Sequence, residues 1–430
     1  MNQQLNKILP SRFVLVVTVG GVIGLGILRG PGEIAQTVTS PTLYLLLWLL
    51  GGIFALLSTA VTAELFAMTA RSGGTYQLVR RAYGGYSGFV IGWVDWLSFS
   101  ADLALKAVVI IEFASILFPE AVNWSTELAI IVTSSFALIQ LRGVILSATI
   151  QELATAIISL IIIGMSLILF LIDLPTARSS NFAEAGTGIG EWSIVIAAIV
   201  FTYDGWLYAS YFGEEIKGNP GLAARSCIKG MVVIVGLYMA LNFALVKSTG
   251  LTAIAGSELA MARAFELASL PYAENLVIMA AILILLGHQN LEYMSGPRIL
   301  FALATDGLAN RHAKKLGKHG NPTYALLATW FLTVPLIYIG GFEFLLLLSV
   351  FFYITIYLAL IIGVIILRKY EPDAERPYEA WGHPYSTVVC LVGWVIITSF
   401  QGYAERDTAL YAAAMAAFSW PVYRYLNRDS

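Results

Sequence analysis

Apolar residues gather along this chain into long runs separated by short polar or turn-forming segments. A membrane-crossing helix needs about 20 mostly apolar residues, because the hydrocarbon core is roughly 30 Å thick and each helical residue rises about 1.5 Å. Twelve such runs are read, at approximately 12–37, 42–69, 86–118, 125–142, 148–173, 191–214, 225–248, 274–304, 322–340, 342–368, 384–403 and 408–426. Turn residues such as Pro41, Pro119, Pro175, Pro322 and Gly340–Gly341 bound most of them. The third, eighth and tenth are the least cleanly bounded. The predicted class is an all-α polytopic membrane protein.

Composition agrees with that pattern. Of 430 residues, 58% are hydrophobic and 12% charged, with a mean hydropathy of +0.78; soluble proteins carry about 25% charged residues. The net charge of −2 favours neither an acidic nor a basic partner. No basic face suited to nucleic acid is present, since the densest basic run is Arg311 to Lys318. The positions of the charges say more than their sum. With the N-terminus inside, 19 of the 25 Lys and Arg residues fall on inner segments and four (Arg178, Lys247, Arg263, Arg406) on outer ones. That asymmetry predicts both termini on the cytoplasmic side. The first run lacks the short apolar core and small-residue cleavage site of a removable signal. Two cysteines, Cys227 and Cys390, and four scattered histidines give no disulfide framework, metal-ligand spacing or cofactor motif.

Two runs contain residues that interrupt a helix. The first reads Gly20-Gly21-Val22-Ile23-Gly24-Leu25-Gly26-Ile27-Leu28-Arg29-Gly30-Pro31-Gly32, and the sixth reads Phe201-Thr202-Tyr203-Asp204-Gly205-Trp206. Unwound backbone at membrane depth is tolerated only where protein or a cavity satisfies it. The breaks lie five spans apart, so the two helices enter from opposite faces. Matched breaks of this kind predict inverted repeats, with 1–173 as the first, 174–368 as the second, and 369–430 as an addition. Glycines placed for close helix packing are the alternative. At such breaks, free N–H groups attract an anion and free carbonyls a cation. Gly24, Leu25 and Gly26 would hold a carboxylate, and the carbonyls of Val22, Ile23, Phe201 and Thr202 an ammonium. The pair of sites suits a small zwitterion.

These residues carry a family resemblance. Gly-Val-Ile-Gly-Leu-Gly-Ile-Leu at 21–28 with Pro31-Gly32 resembles the first-helix motif of the amino acid–polyamine–organocation superfamily. The segment Phe201 to Pro220 is similar to the sixth helix and following loop of its L-type amino-acid transporter branch. Ala63-Glu64-Leu65, Arg71-Ser72-Gly73-Gly74-Thr75-Tyr76, Pro297-Arg298, Asp306-Gly307-Leu308, Arg376-Pro377-Tyr378 and Trp381-Gly382-His383-Pro384 follow the same pattern in order. The resemblance implies a LeuT-type fold of 12 helices, built as a 5+5 inverted repeat plus two. It implies sodium-independent uptake or exchange of amino acids by alternating access in the cell membrane, with no enzymatic activity and no cofactor. It implies substrate carboxylate on Gly24 to Gly26, Phe201 as an aromatic gate, and Asn290 near the substrate side chain. Three departures stand out. Leu25 occupies a position usually small or small and polar. Ile158 occupies the place where many relatives carry a fifth-helix lysine. The outer loop 119–124 has no cysteine, so no disulfide-linked accessory subunit is expected.

Ionisable residues within spans are costly and usually paired or functional. The candidates are Arg29, Glu33, Glu64, Asp102, Lys106, Glu112, Glu152, Asp204, His288, Glu292 and Glu343. Asp102 and Lys106 stand four apart on one helix face and can pair; Lys106 is also positioned to supply the cation that Ile158 cannot. Asp204 adjoins the second break, where it would meet an ammonium, a cationic side chain or a proton, or cap the N–H groups of the following half-helix. Neutral amino acids are the expected substrates, with cationic amino acids or polyamines the alternative because of Asp204. A non-transporting sensor would be expected to carry a signalling domain or long tail. An enzyme would need a convergent catalytic constellation, and a channel a filter motif.

Overall fold

Backbone placed in lipid must bond to itself, which leaves helices as the available form for these apolar runs. The computed structural model describes residues 5–172, 188–270, 272–339 and 342–426, apart from the side chains of residues 189 and 342–348. Pro175, Arg178, Gly340–Gly341, Arg428 and the side chain of Glu343 lie outside the described residues. Among the described residues sixteen α-helices follow in order: α1 (Arg12–Val22), α2 (Leu25–Thr37), α3 (Pro41–Thr69), α4 (Thr75–Tyr83), α5 (Gly85–Leu117), α6 (Ser125–Gln140), α7 (Val144–Leu171), α8 (Ile189–Tyr203), α9 (Pro220–Ser248), α10 (Leu251–Ile254), α11 (Ala260–Leu267), α12 (Ala273–Thr305), α13 (Thr323–Ile339), α14 (Phe342–Tyr370), α15 (Tyr385–Ala404) and α16 (Arg406–Leu426). Among the described residues no strand forms beyond two isolated bridges.

Among the described residues, eight helical stretches are long and apolar enough to cross a membrane: Arg12–Thr37, Pro41–Thr69, Pro119–Gln140, Val144–Leu171, Pro220–Ser248, Ala273–Thr305, Ser349–Tyr370 and Tyr385–Ala404. The other expected spans have a different character. Helix α5 is 33 residues long but carries Asp95, Asp102, Lys106 and Glu112. Helices α8 and α13 are apolar but only 15 and 17 residues long. The chain is thus an all-helical polytopic membrane protein.

Helix starts follow local chemistry. Ser40 accepts from Leu43 N ahead of Pro41, and Asn219 accepts from Gly221 N at 2.7 Å ahead of Pro220. In each case a polar cap precedes a proline that has no N–H to lose. The two 33-residue helices, α5 and α12, pack along each other at the centre, flanked by α13, α14 and α7. Helix α3 packs on α9, and α2 on α8. Behind α8, Trp48 packs edge-on against Tyr203 and Tyr238, at 5.9 and 6.3 Å between ring centres.

Ion pairs close one end of the bundle. Buried Glu64 accepts from Arg368 at 2.6 and 2.9 Å, from Arg376 at 3.3 Å and from Ala380 N at 2.7 Å. Arg298 and Glu215, both buried, pair at 2.5 and 2.9 Å, with the guanidinium 4.6 Å over the Phe212 ring. Asp306 accepts from Tyr76, Gln77 and Arg80. At the other end Arg29 pairs with Glu112 at 3.1 Å and with Glu258 at 3.7 Å. Helices α10 and α11, not expected from the sequence, fold over α2 there, with Gly256 N donating to Gly32 O at 2.9 Å.

Breaking a buried ion pair by removing one partner costs about 3–5 kcal/mol. Arg368 keeps 24% of its side chain exposed, so the lower end applies to Glu64→Gln. Its melting temperature in detergent, followed by fluorescence-detected chromatography, is expected to fall by several degrees. An unchanged transition would remove Glu64 as the junction.

Candidate functional site

The first break falls between α1 and α2. Ile23 (φ −72°, ψ 96°) and Gly24 (φ −141°, ψ −152°) are extended, and α2 restarts at Leu25. The N-terminus of a 13-residue helix therefore points into the protein core, with the leading N–H groups of Leu25 and Gly26 free of intrahelical partners. The site holds no side-chain cap. Val22 O accepts from Tyr238 Oη at 2.9 Å, so one carbonyl at the end of α1 already has a partner.

The second break begins where α8 ends at Tyr203. Asp204 is extended (φ −69°, ψ 155°) and Gly205 has φ +115°. A side chain at Gly205 would be strained by that angle and would also strike the Gly21 carbonyl. The two breaks therefore touch backbone to backbone. Beyond Gly205 the chain forms a 3₁₀ segment, Trp206–Tyr211, in place of an α-helical second half. Close approach continues along α2: a Cβ at Gly26 would lie 2.8 Å from Thr202 Oγ1, and a Cβ at Gly24 would lie 2.9 Å from the His288 ring.

A cavity lies between the breaks. It is lined by Gly21, Val22, Gly24, Leu25, Gly26, Phe201, Asp204 and Gly205, with Asp102, Lys106, Tyr208, His288 and Tyr353 opposite. Its volume is about 20 Å³, room for a water. An organic zwitterion fits only if α2, α8 and the His288 wall separate. A second small cavity adjoins it and shares Asp204, Gly205, Tyr208 and Tyr353.

The charged wall is tightly bonded. Lys106 Nζ donates to Asp102 at 2.7 Å and to Glu292 in an ion pair that joins α5 to α12. Tyr353 Oη donates to Asp102 at 2.9 Å, and Tyr357 Oη donates to Asp204. Buried Asp95 accepts from Thr75 and from Tyr211, the latter at 3.0 and 3.1 Å.

The residues singled out in the sequence thus separate into groups. Val22, Gly24, Leu25, Gly26, Phe201, Asp204, Asp102 and Lys106 line one cavity. Ile23 and Thr202 are buried beside it, with Thr202 Oγ1 donating to Ala198 O at 2.6 Å. Asn290 stands apart: its amide donates to Ser147 O and Gln151 and accepts from Gln140, tying α12 to α6 and α7. Ile158 is buried and packs toward Gly287, one residue before His288. Four residues of the walls had no sequence signal singled out. Tyr208, Tyr353 and Tyr357 are ordinary aromatics of apolar helices. Asp95 is an isolated acid between Val94 and Trp96, a cue of the kind that marked Asp102.

Comparison with known proteins identifies relatives of this chain. A family model described as amino acid permease matches residues 13–418. The serine/threonine exchanger SteT of Bacillus subtilis is 26% identical, covering 90% of both chains. The D-serine/D-alanine/glycine transporter of Escherichia coli K12 is 21% identical over 93% of this chain and 87% of its own. The human large neutral amino acids transporter small subunit 2 is 24% identical over 95% of this chain and 78% of its own.

The packing at Gly26 generates a direct test. In Gly26→Val the side chain would force α2 away from α8, and affinity for an amino-acid ligand is expected to drop by 100-fold or more (about 3 kcal/mol). Gly164→Val, where a side chain meets open space, serves as control. Ligand-induced thermal stabilisation distinguishes them: the control should keep the parent's shift and Gly26→Val should lose it. Equal shifts would place the ligand elsewhere.

Proposed function

The chain belongs to the amino acid permease family, and from that premise we propose that it moves neutral amino acids across the cell membrane by sodium-independent uptake or exchange. It is a membrane transporter, not an enzyme. The observation that carries the substrate reading is the contact of two helix breaks in the core, with the N-terminus of α2 facing one small cavity. The substrate carboxylate takes the N–H groups of Leu25 and Gly26, where hydrogen bonds and the helix dipole favour an anion. The ammonium takes the carbonyl ends of α1 and α8, at Val22, Ile23, Phe201 and Thr202. Phe201 closes over the substrate as a gate. Leu25 narrows the pocket toward compact side chains.

Alternating access follows from the same geometry. The breaks lie five spans apart, which supports twelve spans arranged as inverted repeats, 1–173 and 174–368, with 369–430 appended. The cluster of Lys and Arg at one end supports both termini on the cytoplasmic side. Sodium independence is supported by Lys106, a fixed cation already in the cavity wall. Relatives named for serine, threonine, glycine, D-alanine and large neutral amino acids support a neutral substrate. One observation favours a second reading: the Asp204 carboxylate lines both cavities, a position suited to a cationic side chain.

Counterflow into proteoliposomes without sodium separates these readings. The parent protein, preloaded with mixed unlabelled amino acids, is expected to accumulate a labelled neutral one, and Gly26→Val to lose at least 90% of that signal. Accumulation only of arginine, lysine or a polyamine would shift the assignment to the Asp204 reading. Ligand binding without counterflow would make the protein a sensor. For orientation, cysteines introduced at Glu120 and Lys315 should label from opposite faces; labelling from one face would break the twelve-span topology.

A further inference from the structure

The cavity wall holds more negative charge than its fixed cation can balance. Lys106 sits between Asp102 and Glu292, with all three side chains almost fully buried. A single ammonium neutralises one carboxylate. An isolated buried carboxylate costs far more than a protonated one, so the second must hold a proton or meet another cation. The oxygens left over point the same way: Asp102 Oδ1 and Glu292 Oε2 are buried with no hydrogen-bond partner, and neither ring nitrogen of His288 has one. His288 Nδ1 lies 3.7 Å from Glu292 Oε1.

Among the described residues, the elements packed on the cluster bring no compensating charge. Helix α5 contributes Asp102 and Lys106, and α12 contributes His288 and Glu292. The 3₁₀ segment contributes Tyr208, whose hydroxyl is 3.4 Å from Glu292 Oε1. Helix α14 contributes Tyr353, and the second break contributes Asp204, held by Tyr357. The first break contributes backbone at Gly21 to Gly26. Beyond Lys106 these groups add a further acid and no fixed cation.

Resting on the transport reading, we propose that the Asp102–Lys106–Glu292 cluster binds and releases one proton in each transport cycle. The proton forms an O–H bond on one carboxylate and leaves as a hydrated proton; no other bond changes. Its position explains why substrate movement is coupled to it. Asp102 and Lys106 line the substrate cavity directly, while His288, one turn before Glu292, packs on Gly24 at the first break. Opening that break separates His288 from α2 and lets water reach the carboxylates. Tyr208 and Tyr353, each bonded to one cluster carboxylate, also line the adjoining cavity that reaches Asp95, Thr75 and Tyr211. They offer a polar route toward the basic end of the bundle.

The test uses the full chain in proteoliposomes with the membrane potential clamped at zero. A neutral amino acid active in counterflow serves as substrate, and a trapped pH dye reports proton movement. With a one-unit pH difference, the parent should build a substrate gradient of up to about tenfold, the limit for one proton per substrate, and the dye should report a matching proton flux. Glu292→Gln is expected to keep counterflow at equal pH and to lose the pH-driven gradient; Glu292→Asp, which retains a carboxylate, is expected to keep both. Parent counterflow without a pH-driven gradient or dye signal would overturn the proton site and leave the transport reading intact. A full gradient in Glu292→Gln would also overturn it. Absence of parent counterflow would defeat the transport reading itself.

Discussion

The need to satisfy backbone hydrogen bonds away from water constrains every other feature of this protein. Two helices are interrupted at the centre, and each interruption frees groups that lipid cannot bond. The structure meets the demand by pressing the interruptions together, Gly21 against Gly205, and surrounding them with aromatic hydroxyls. Tyr238 bonds the Val22 carbonyl, and Tyr203 bonds the Trp48 carbonyl at 3.0 Å. The pairing of α3 with α9 and of α2 with α8 keeps that aromatic layer in place. The groups left unbonded face a small cavity, so the solution to the backbone problem also creates the site proposed for the substrate.

Much of this arrangement is legible in the chain, because helix breaks are written in local residues. Glycines and a proline at 20–32, and Asp204-Gly205, mark the interruptions directly. Local spacing likewise places Asp102 and Lys106 on one face. Long-range partners leave no such trace: Glu292 lies 186 positions from Lys106, and neither residue's surroundings name the other. The motifs that carry the family resemblance become intelligible as halves of contacts. Glu64 meets Arg376, Arg298 meets Glu215, and Asp306 meets Tyr76 and Arg80. The second half of the sixth span was expected as a helix and is a 3₁₀ segment, since Gly205 at φ +115° redirects the chain. Asn290, which the family resemblance places near the substrate side chain, bonds α12 to α6 and α7. Its amide finds three neighbours there that sequence spacing does not disclose.

In the reading proposed above, the cation that Ile158 cannot supply comes from Lys106. An aliphatic side chain at 158 packs beside Gly287, so that position of α7 contributes no charge. The cation reaches the cavity from α5 and is held by carboxylates from two helices. A lysine so held is fixed in place, unlike one that swings on its own four-carbon stem. The cost is an excess of acid within the core, a condition stable only with protons or a cationic guest close by.

The Arg298–Glu215 pair has a consequence for rates. It is buried, bidentate and covered by Phe212, so opening that end of the bundle must expose or separate both charges. Their attraction and hydrogen bonds are strengthened by the low-dielectric interior, and losing them enters the barrier of the step that parts them. Turnover limited by that step should rise steeply with temperature. It should also be nearly indifferent to ionic strength, because mobile ions screen poorly a pair that water does not reach.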